Sequence, residues 1–131
     1  MNRQLKFRVW DKLAERMIYP HNDNQQHFII DLNGRFHNLQ NGSGGDDYVI
    51  QQYTGLTDSN DDAIYEGDIL KNHYDVGNNI IGQVLYESDH GGYIFQWKRK
   101  GRGQDYKNLN CDVAFESVIV GNKFEHSELL N

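Results

Sequence analysis

Residues 51–70 read Gln51-Gln52-Tyr53-Thr54-Gly55-Leu56-Thr57-Asp58-Ser59-Asn60-Asp61-Asp62-Ala63-Ile64-Tyr65-Glu66-Gly67-Asp68-Ile69-Leu70, and the way strand-forming and turn-forming residues alternate along them decides the fold class. Tyr53, Leu56, Ile64, Tyr65 and Ile69 are apolar or aromatic with high strand propensity, whereas residues 57–62 form an unbroken block of small polar side chains that favour turns through local hydrogen bonds. Two strands therefore flank a tight reversal. Gly67 and Asp68 interrupt the apolar residues just before Ile69 and Leu70, which predicts a bent or bulged entry into a second, longer strand, with Asp68 hydrogen-bonding in the bend.

The same rhythm extends outward in both directions. Leu5, Phe7 and Val9 alternate with Lys6, Arg8 and Trp10, the period-two pattern of a half-buried strand, and Met17-Ile18-Tyr19 reads as its returning partner. Residues 20–26 form a polar loop. Asn33-Gly34 lies between the apolar runs 27–32 and 35–39 and is the strongest short-range hairpin signal in the sequence, since both residues tolerate positive φ. Residues 40–47, with Gly42, Gly44 and Gly45, read as a flexible loop. Strands follow at 80–87 and 93–98, a weaker one at 106–109, a short apolar piece at 113–115, and a closing strand at 118–120 that continues to Lys123-Phe124, with Gly121 marking a bend or bulge and residues 125–130 one helical turn. Short strands spaced about 8 to 12 residues apart define a small barrel or sandwich, not a βαβ sheet. The expectation is a mainly β chain with one core: an SH3-like, partly open barrel over residues 48–131, on which an additional N-terminal β-hairpin region, residues 1–47, packs.

A family resemblance accompanies this pattern. Tyr53-Thr54-Gly55-Leu56, followed by Asp58, Asn60 and Ile64-Tyr65-Glu66-Gly67-Asp68-Ile69, resembles the signature of the YopX family of phage and prophage proteins. Lys6-Phe7-Arg8-Val9-Trp10-Asp11 with Met17-Ile18, and Val120-Gly121-Asn122 with Glu128-Leu129-Leu130, agree in the same order along the chain. The sequence departs from the family at Asp61, where a glycine often follows Asn60, and at Ser127, often a proline. The resemblance implies a phage-encoded, mainly β protein that associates with copies of itself, and it brings no known activity.

Composition bounds the possibilities further. A chain of 131 residues suits one ordinary domain, and eight Tyr, six Phe and two Trp supply large contact area per residue. No run approaches the roughly 20 apolar residues of a membrane helix, and no continuous apolar region follows the basic residues of the N-terminus, so the expectation is a soluble protein retained in the cytoplasm, which the family resemblance implies is that of a bacterial host. Cys111 is alone, so no intrachain disulfide forms, and its default is a half-buried thiol. The net charge of −6 is unevenly distributed. Residues 36–70 contain no Lys or Arg but carry Asp46, Asp47, Asp58, Asp61, Asp62, Glu66 and Asp68. The basic counterpart is Lys98, Arg99, Lys100 and Arg102, with Lys107 close behind.

Each candidate site has a plainer alternative. Asp58, Asn60 and Asp62 have the first three spacings of a calcium loop, but Ala63 and Ile69 stand where the glycine and the bidentate glutamate are needed. Residues 42–45 lack the Lys-Ser/Thr and the helix that let a glycine-rich loop cradle phosphate. The six histidines show no ligand spacing, although a regular hairpin brings His27 and His37 into cross-strand proximity. No local partner activates Cys111, and Glu66 with Asp68 is the nearest thing to an acid pair. No catalytic, metal or cofactor set is assigned. Trp97 and Tyr106, interleaved with the basic residues 98–107, form the best nucleic-acid candidate, since cations neutralise phosphate and aromatic rings stack on bases; the overall acidity opposes it.

The leading expectation is a non-enzymatic recognition or assembly module that self-associates, the acidic residues Asp58, Asp61, Asp62, Glu66 and Asp68 of one copy meeting the basic loop of the next in a head-to-tail contact that closes into a ring. Two alternatives stand beside it: an acidic inhibitor that occupies the basic site of a host nucleic-acid-binding protein, and nucleic-acid binding through residues 98–107.

Overall fold

The computed structural model describes residues 4–19, 27–75, 78–99, 101 and 103–131. The polar loop expected at 20–26 and two basic candidates, Lys100 and Arg102, lie outside them. The chain divides into two compact units, Met1–Gln52 and Tyr53–Asn131, each with its own cluster of buried apolar side chains in place of the single core expected.

In the first unit, β1 (Phe7–Asp11) pairs antiparallel with β2 (Arg16–Ile18), and β3 (Phe28–Ile30) with β4 (Phe36–Asn38). A 3-10 turn at Gly45–Asp47 leads into β5 (Tyr48–Thr57), whose first half pairs with β1. Val9, Ile18 and Phe36 are fully buried, with Phe28, Ile30, Tyr48 and Ile50 packed on them. On the opposite face of β1, Arg8 is buried and its Nε donates to Oε1 of its cross-strand neighbour Gln51 at 2.8 Å. The glycine-rich loop is tied down. Gly42 N–H donates to Asn38 O, Asn38 N–H to Ser43 O (both 2.8 Å), and Gly44 lies so close to Phe36 that a Cβ there would be 2.5 Å from the Phe36 carbonyl oxygen. Gly44 serves close packing of backbone on backbone, whereas Gly42 (φ +76) and Gly45 (φ +71) supply left-handed turns.

The second unit holds the second half of β5, paired with β6 (Ala63–Tyr65), and a five-stranded antiparallel sheet in the order β10-β9-β8-β7-β11, curled into a half-barrel. Its strands are β7 (Asp68–Asp75), β8 (Asn78–Glu87), β9 (Gly92–Lys98), β10 (Gln104–Asn108) and β11 (Ser117–Asn122). Ile64, Leu70, Val84, Phe95, Val113 and Ala114 form the core. The expected mainly β, partly open barrel is present. The register between β7 and β11 shifts between Ile119 and Gly121, the bulge expected at that glycine.

Three local readings are corrected. The apolar piece at 113–115 belongs to a short helix, α1 (Cys111–Phe115), because Asn110 caps it: its Oδ1 accepts the Val113 N–H at 3.0 Å. The helix turns Val113 and Ala114 inward and leaves Cys111 exposed, not half-buried. The closing strand stops at Asn122 and does not reach Lys123-Phe124. Asn122 Oδ1 accepts the N–H groups of Phe124 and Glu125, which diverts the backbone into a turn that leads to the 3-10 helix Ser127–Leu130.

The third correction concerns the turns. Asn33-Gly34 does join two strands, but the loop has three residues rather than two. Asp31 pairs with Arg35 (Asp31 N–H to Arg35 O, 3.0 Å), Gly34 has φ +79, and Asn33 keeps negative φ. Asp31 Oδ1 accepts the N–H groups of Asn33 (2.9 Å) and Arg35 (3.0 Å). The central turn repeats this device. Asp58 N–H donates to Asp62 O, Asp58 Oδ1 accepts from Asn60 and Asp62 (both 2.9 Å), and Asp61 takes the left-handed conformation with φ +66 that Gly34 takes in the first. Asp31-Leu32-Asn33-Gly34-Arg35 and Asp58-Ser59-Asn60-Asp61-Asp62 are therefore one turn written twice, a three-residue hairpin loop closed by an aspartate and ending in a left-handed residue.

Two expected outcomes follow from these turns. Asp61 occupies a backbone region that glycine enters without steric cost, so Asp61→Gly should raise the stability of the second unit by about 0.5 kcal/mol and Asp61→Ala should lower it by about 1 kcal/mol, read by urea unfolding at high salt. In the first turn, the His37 ring nitrogen 2.9 Å from Asp31 Oδ2, with the N–H groups of Arg35 and Asn33, holds the Asp31 carboxyl below its ordinary 3.8. A lowered folded-state pKa contributes stability that is present above 3.8 and is lost as pH falls through the folded value. An NMR titration should place the Asp31 midpoint below 3.8, and His37→Ala should move it back up.

Candidate interaction surface

The acidic segment divides into an inner and an outer set. Asp58 is 5% exposed and fully engaged: besides the two turn N–H groups on Oδ1, its Oδ2 accepts the Ile119 N–H at 2.9 Å, 61 residues further along the chain. Beside it, Ser59 N–H donates to Ser117 O at 2.9 Å. Asp58 and Ser59 thereby cover the outer edge of β11. Asp68 is equally buried, and its Oδ2 accepts the Tyr65 N–H at 2.8 Å across the turn at Glu66-Gly67, the bend assigned to it from sequence. Neither carboxylate offers itself to a partner: Asp58 is buried under three backbone N–H donors, and Asp68 is buried with the Tyr65 N–H on its Oδ2. Those donors also present protons where a calcium ion would need oxygens. Asp61 and Asp62 remain at the exposed tip of the turn, with Glu66 half-buried.

The basic counterpart is the β9–β10 hairpin. Lys98 and Arg99 are exposed at its tip, and Arg99 Nε lies 3.9 Å from Asp105 Oδ2, a long contact between side chains that are 65% and 47% exposed. Such a pair contributes little and leaves the guanidinium available to solvent. Lys107 is half-buried further along β10. The two aromatics proposed to accompany these cations are separated by the register. Trp97 stands opposite Asp105 and Tyr106 opposite Gln96, so period two sends them to opposite faces of the sheet. Trp97 packs against the core beside Phe95, with ring centroids 5.4 Å apart, whereas Tyr106 is 47% exposed and meets the His90 ring at 5.0 Å. Trp97 and Tyr106 therefore form no common stacking platform, the feature that made this stretch a nucleic-acid candidate.

The remaining candidates are placed apart. In β3–β4, His37 pairs with Ile29 and is bonded to Asp31, while His27 contributes its carbonyl to Leu39 N–H, so the two histidines do not meet as an opposed pair. A depression of about 290 Å³ in the second unit lies between β8, β9 and the C-terminal residues Leu129 and Leu130; its lining includes Gln83, Gln96 and Lys98 but no histidine, acidic side chain or thiol. Among the described residues no group of three or more histidine, cysteine or carboxylate side chains is placed to hold a metal ion. No helix among them is long and apolar enough to cross a membrane.

The geometry thus defines a class: a mainly β chain whose C-terminal half-barrel has one edge, β11, sealed by a buried aspartate, and the other, β10, flanked by cations. The family model described as YopX protein matches residues 6–131, and the chain belongs to the YopX family. The crystal structure of protein EF1440 from Enterococcus faecalis aligns with 99% of this chain and 100% of its own, with a TM-score of 0.59 at 23% sequence identity, a likeness of fold. No curated protein matches the chain.

Proposed function

We infer that this protein is an assembly module of phage or prophage origin, acting in the bacterial cytoplasm, in which the Asp61-Asp62 tip of one copy docks on the Lys98-Arg99 tip of the next. The observation that carries this reading is the placement of the two charges within the second unit. The acidic turn is bonded to β11 and the basic tip belongs to the β9–β10 hairpin, and β11 and β10 are the two opposite edges of the five-stranded sheet. A surface that is acidic at one edge and basic at the other complements a second copy head to tail, and such contacts repeat until they close.

Both tips are exposed, so the contact is screened by salt over a Debye length of about 10 Å at 0.1 M. Sedimentation velocity should show species larger than a dimer at low ionic strength that dissociate as salt is raised. A sedimentation profile that does not change with salt would remove this reading. The burial of Asp58 and Asp68 removes two carboxylates from this contact and from the inhibitor alternative alike, so in either reading the acidic surface narrows to Asp61 and Asp62.

A further inference from the structure

The two edges of the half-barrel differ in a second way. The β11 edge is covered by Asp58 and Ser59, but among the described residues β10 has a strand neighbour on one side only. An uncovered edge strand is a template for pairing with another chain, and globular proteins usually blunt it. The ladder shows which groups are on offer. Arg99 N–H donates to Gly103 O and Leu109 N–H to Tyr93 O, so the odd-numbered residues of this strand turn their backbone groups to β9. By the alternation of an antiparallel ladder, Gln104, Tyr106 and Asn108 turn theirs outward.

We propose that β10 pairs antiparallel with β10 of a second copy about a two-fold axis at Tyr106, giving a dimer held by an extended sheet. The sequence is self-complementary in that register. Tyr106 faces the partner's Tyr106 and Gln104 faces the partner's Asn108, and these are the residues whose backbone groups point outward, so hydrogen-bonded pairs form at each of them. Asp105 then faces the partner's Lys107 twice over, in the closely spaced non-hydrogen-bonded pairs where cross-strand charges interact most strongly. The exposed Tyr106 rings fall side by side on one face. The isolated chain guards this edge with Asp105, whose Oδ1 accepts the Tyr106 N–H at 3.0 Å. Dimerisation exchanges that contact for a cross-strand carbonyl and releases the carboxylate to Lys107 of the second copy.

This interface uses the strand, whereas the head-to-tail contact proposed above uses the hairpin tips, and the two respond differently to salt because backbone hydrogen bonds are not screened. Sedimentation of the full chain at high concentration separates them. Larger species at low salt that reduce to a dimer at high salt are the expected result. A dimer at all salts sinks the head-to-tail contact and leaves the strand pairing standing; larger species that fall directly to monomer do the reverse; a monomer throughout removes both. At high salt, Tyr106→Pro deletes an N–H that β9 does not use and should weaken the dimer at least tenfold, a loss that Tyr106→Ala should not match. Asp105→Lys and Lys107→Asp should each dissociate the dimer by placing like charges face to face, and the double variant should restore it. A dimer indifferent to Tyr106→Pro, or a double variant no better than either single one, overturns the proposal.

Discussion

Asp58→Ala is expected to destabilise the second unit by about 2–4 kcal/mol, because one side chain removes the acceptors of three backbone N–H groups, those of Asn60, Asp62 and Ile119. The cost arises twice. The turn at 58–62 loses the carboxylate that closes it, and β11 loses the plug that satisfies its outer edge. Asp58→Asn separates the two. Its single amide oxygen can still serve the turn while its NH2 confronts the Ile119 N–H, donor against donor, so it should cost about 1–2 kcal/mol. Each unit carries one tryptophan, Trp10 in the first and Trp97 in the second. In a Trp10→Phe background, Trp97 fluorescence therefore reports the second unit alone during urea unfolding. A midpoint unmoved by Asp58→Ala would show that the carboxylate is an ordinary surface charge.

Gly82→Ala should be as damaging, for a reason of space. Gly82 lies in the middle of β8, paired with Trp97 on one side and Leu70 on the other. A Cβ at this position would overlap the Gln96 carbonyl oxygen and lie 2.9 Å from Cε1 of the buried Phe95. Backbone on one side and a core ring on the other leave nowhere for a methyl group to go, so β8 and β9 must separate at the centre of the half-barrel. Overpacking of this kind costs about 2–4 kcal/mol. The Trp97 reporter should show a fall in the urea midpoint, and hydrogen exchange should accelerate at the β8–β9 amides before those of β11. Protection unchanged from the parent would mean that the close approach of these strands is not needed.

These two residues also mark where the sequence was legible and where it was not. Tyr53, Ile64, Ile69 and Leu70 announced strands because their spacing is local, and the mainly β, half-open architecture came with them. The turn at 58–62 was also visible, as a block of small polar residues. That Asp58 reaches Ile119, 61 residues away, was not, since a hydrogen bond to a distant backbone leaves no periodic trace. By charge alone, Asp58 and Asp68 are indistinguishable from the exposed Asp61 and Asp62. A signal did exist: Asp31-x-Asn33-Gly34 and Asp58-x-Asn60-Asp61 share a spacing, and comparing them would have marked both aspartates as turn closures. Trp97 and Tyr106 failed for a related reason. They are an odd number of residues apart and on different strands, so only the register, which pairs them with Asp105 and Gln96, assigns them to opposite faces. Gly82 was hidden within an apolar run in which a glycine already hints at close approach. Helix α1 was missed because five residues are too few to show a period, although Asn110 is an ordinary N-cap.

What the buried aspartates leave outside is a pair of opposite charges at opposite edges, and in the proposed head-to-tail assembly these bring copies of the chain together. The most direct test mixes two charge-reversed proteins at low salt. Asp61→Lys/Asp62→Lys carries like charge at both tips, as does Lys98→Glu/Arg99→Glu, so neither alone should assemble beyond the species seen at high salt. Combined in equal amounts, each presents the complement of the other, and sedimentation should show the larger species restored. Assembly by either variant alone, or its absence from the mixture, would contradict the head-to-tail contact.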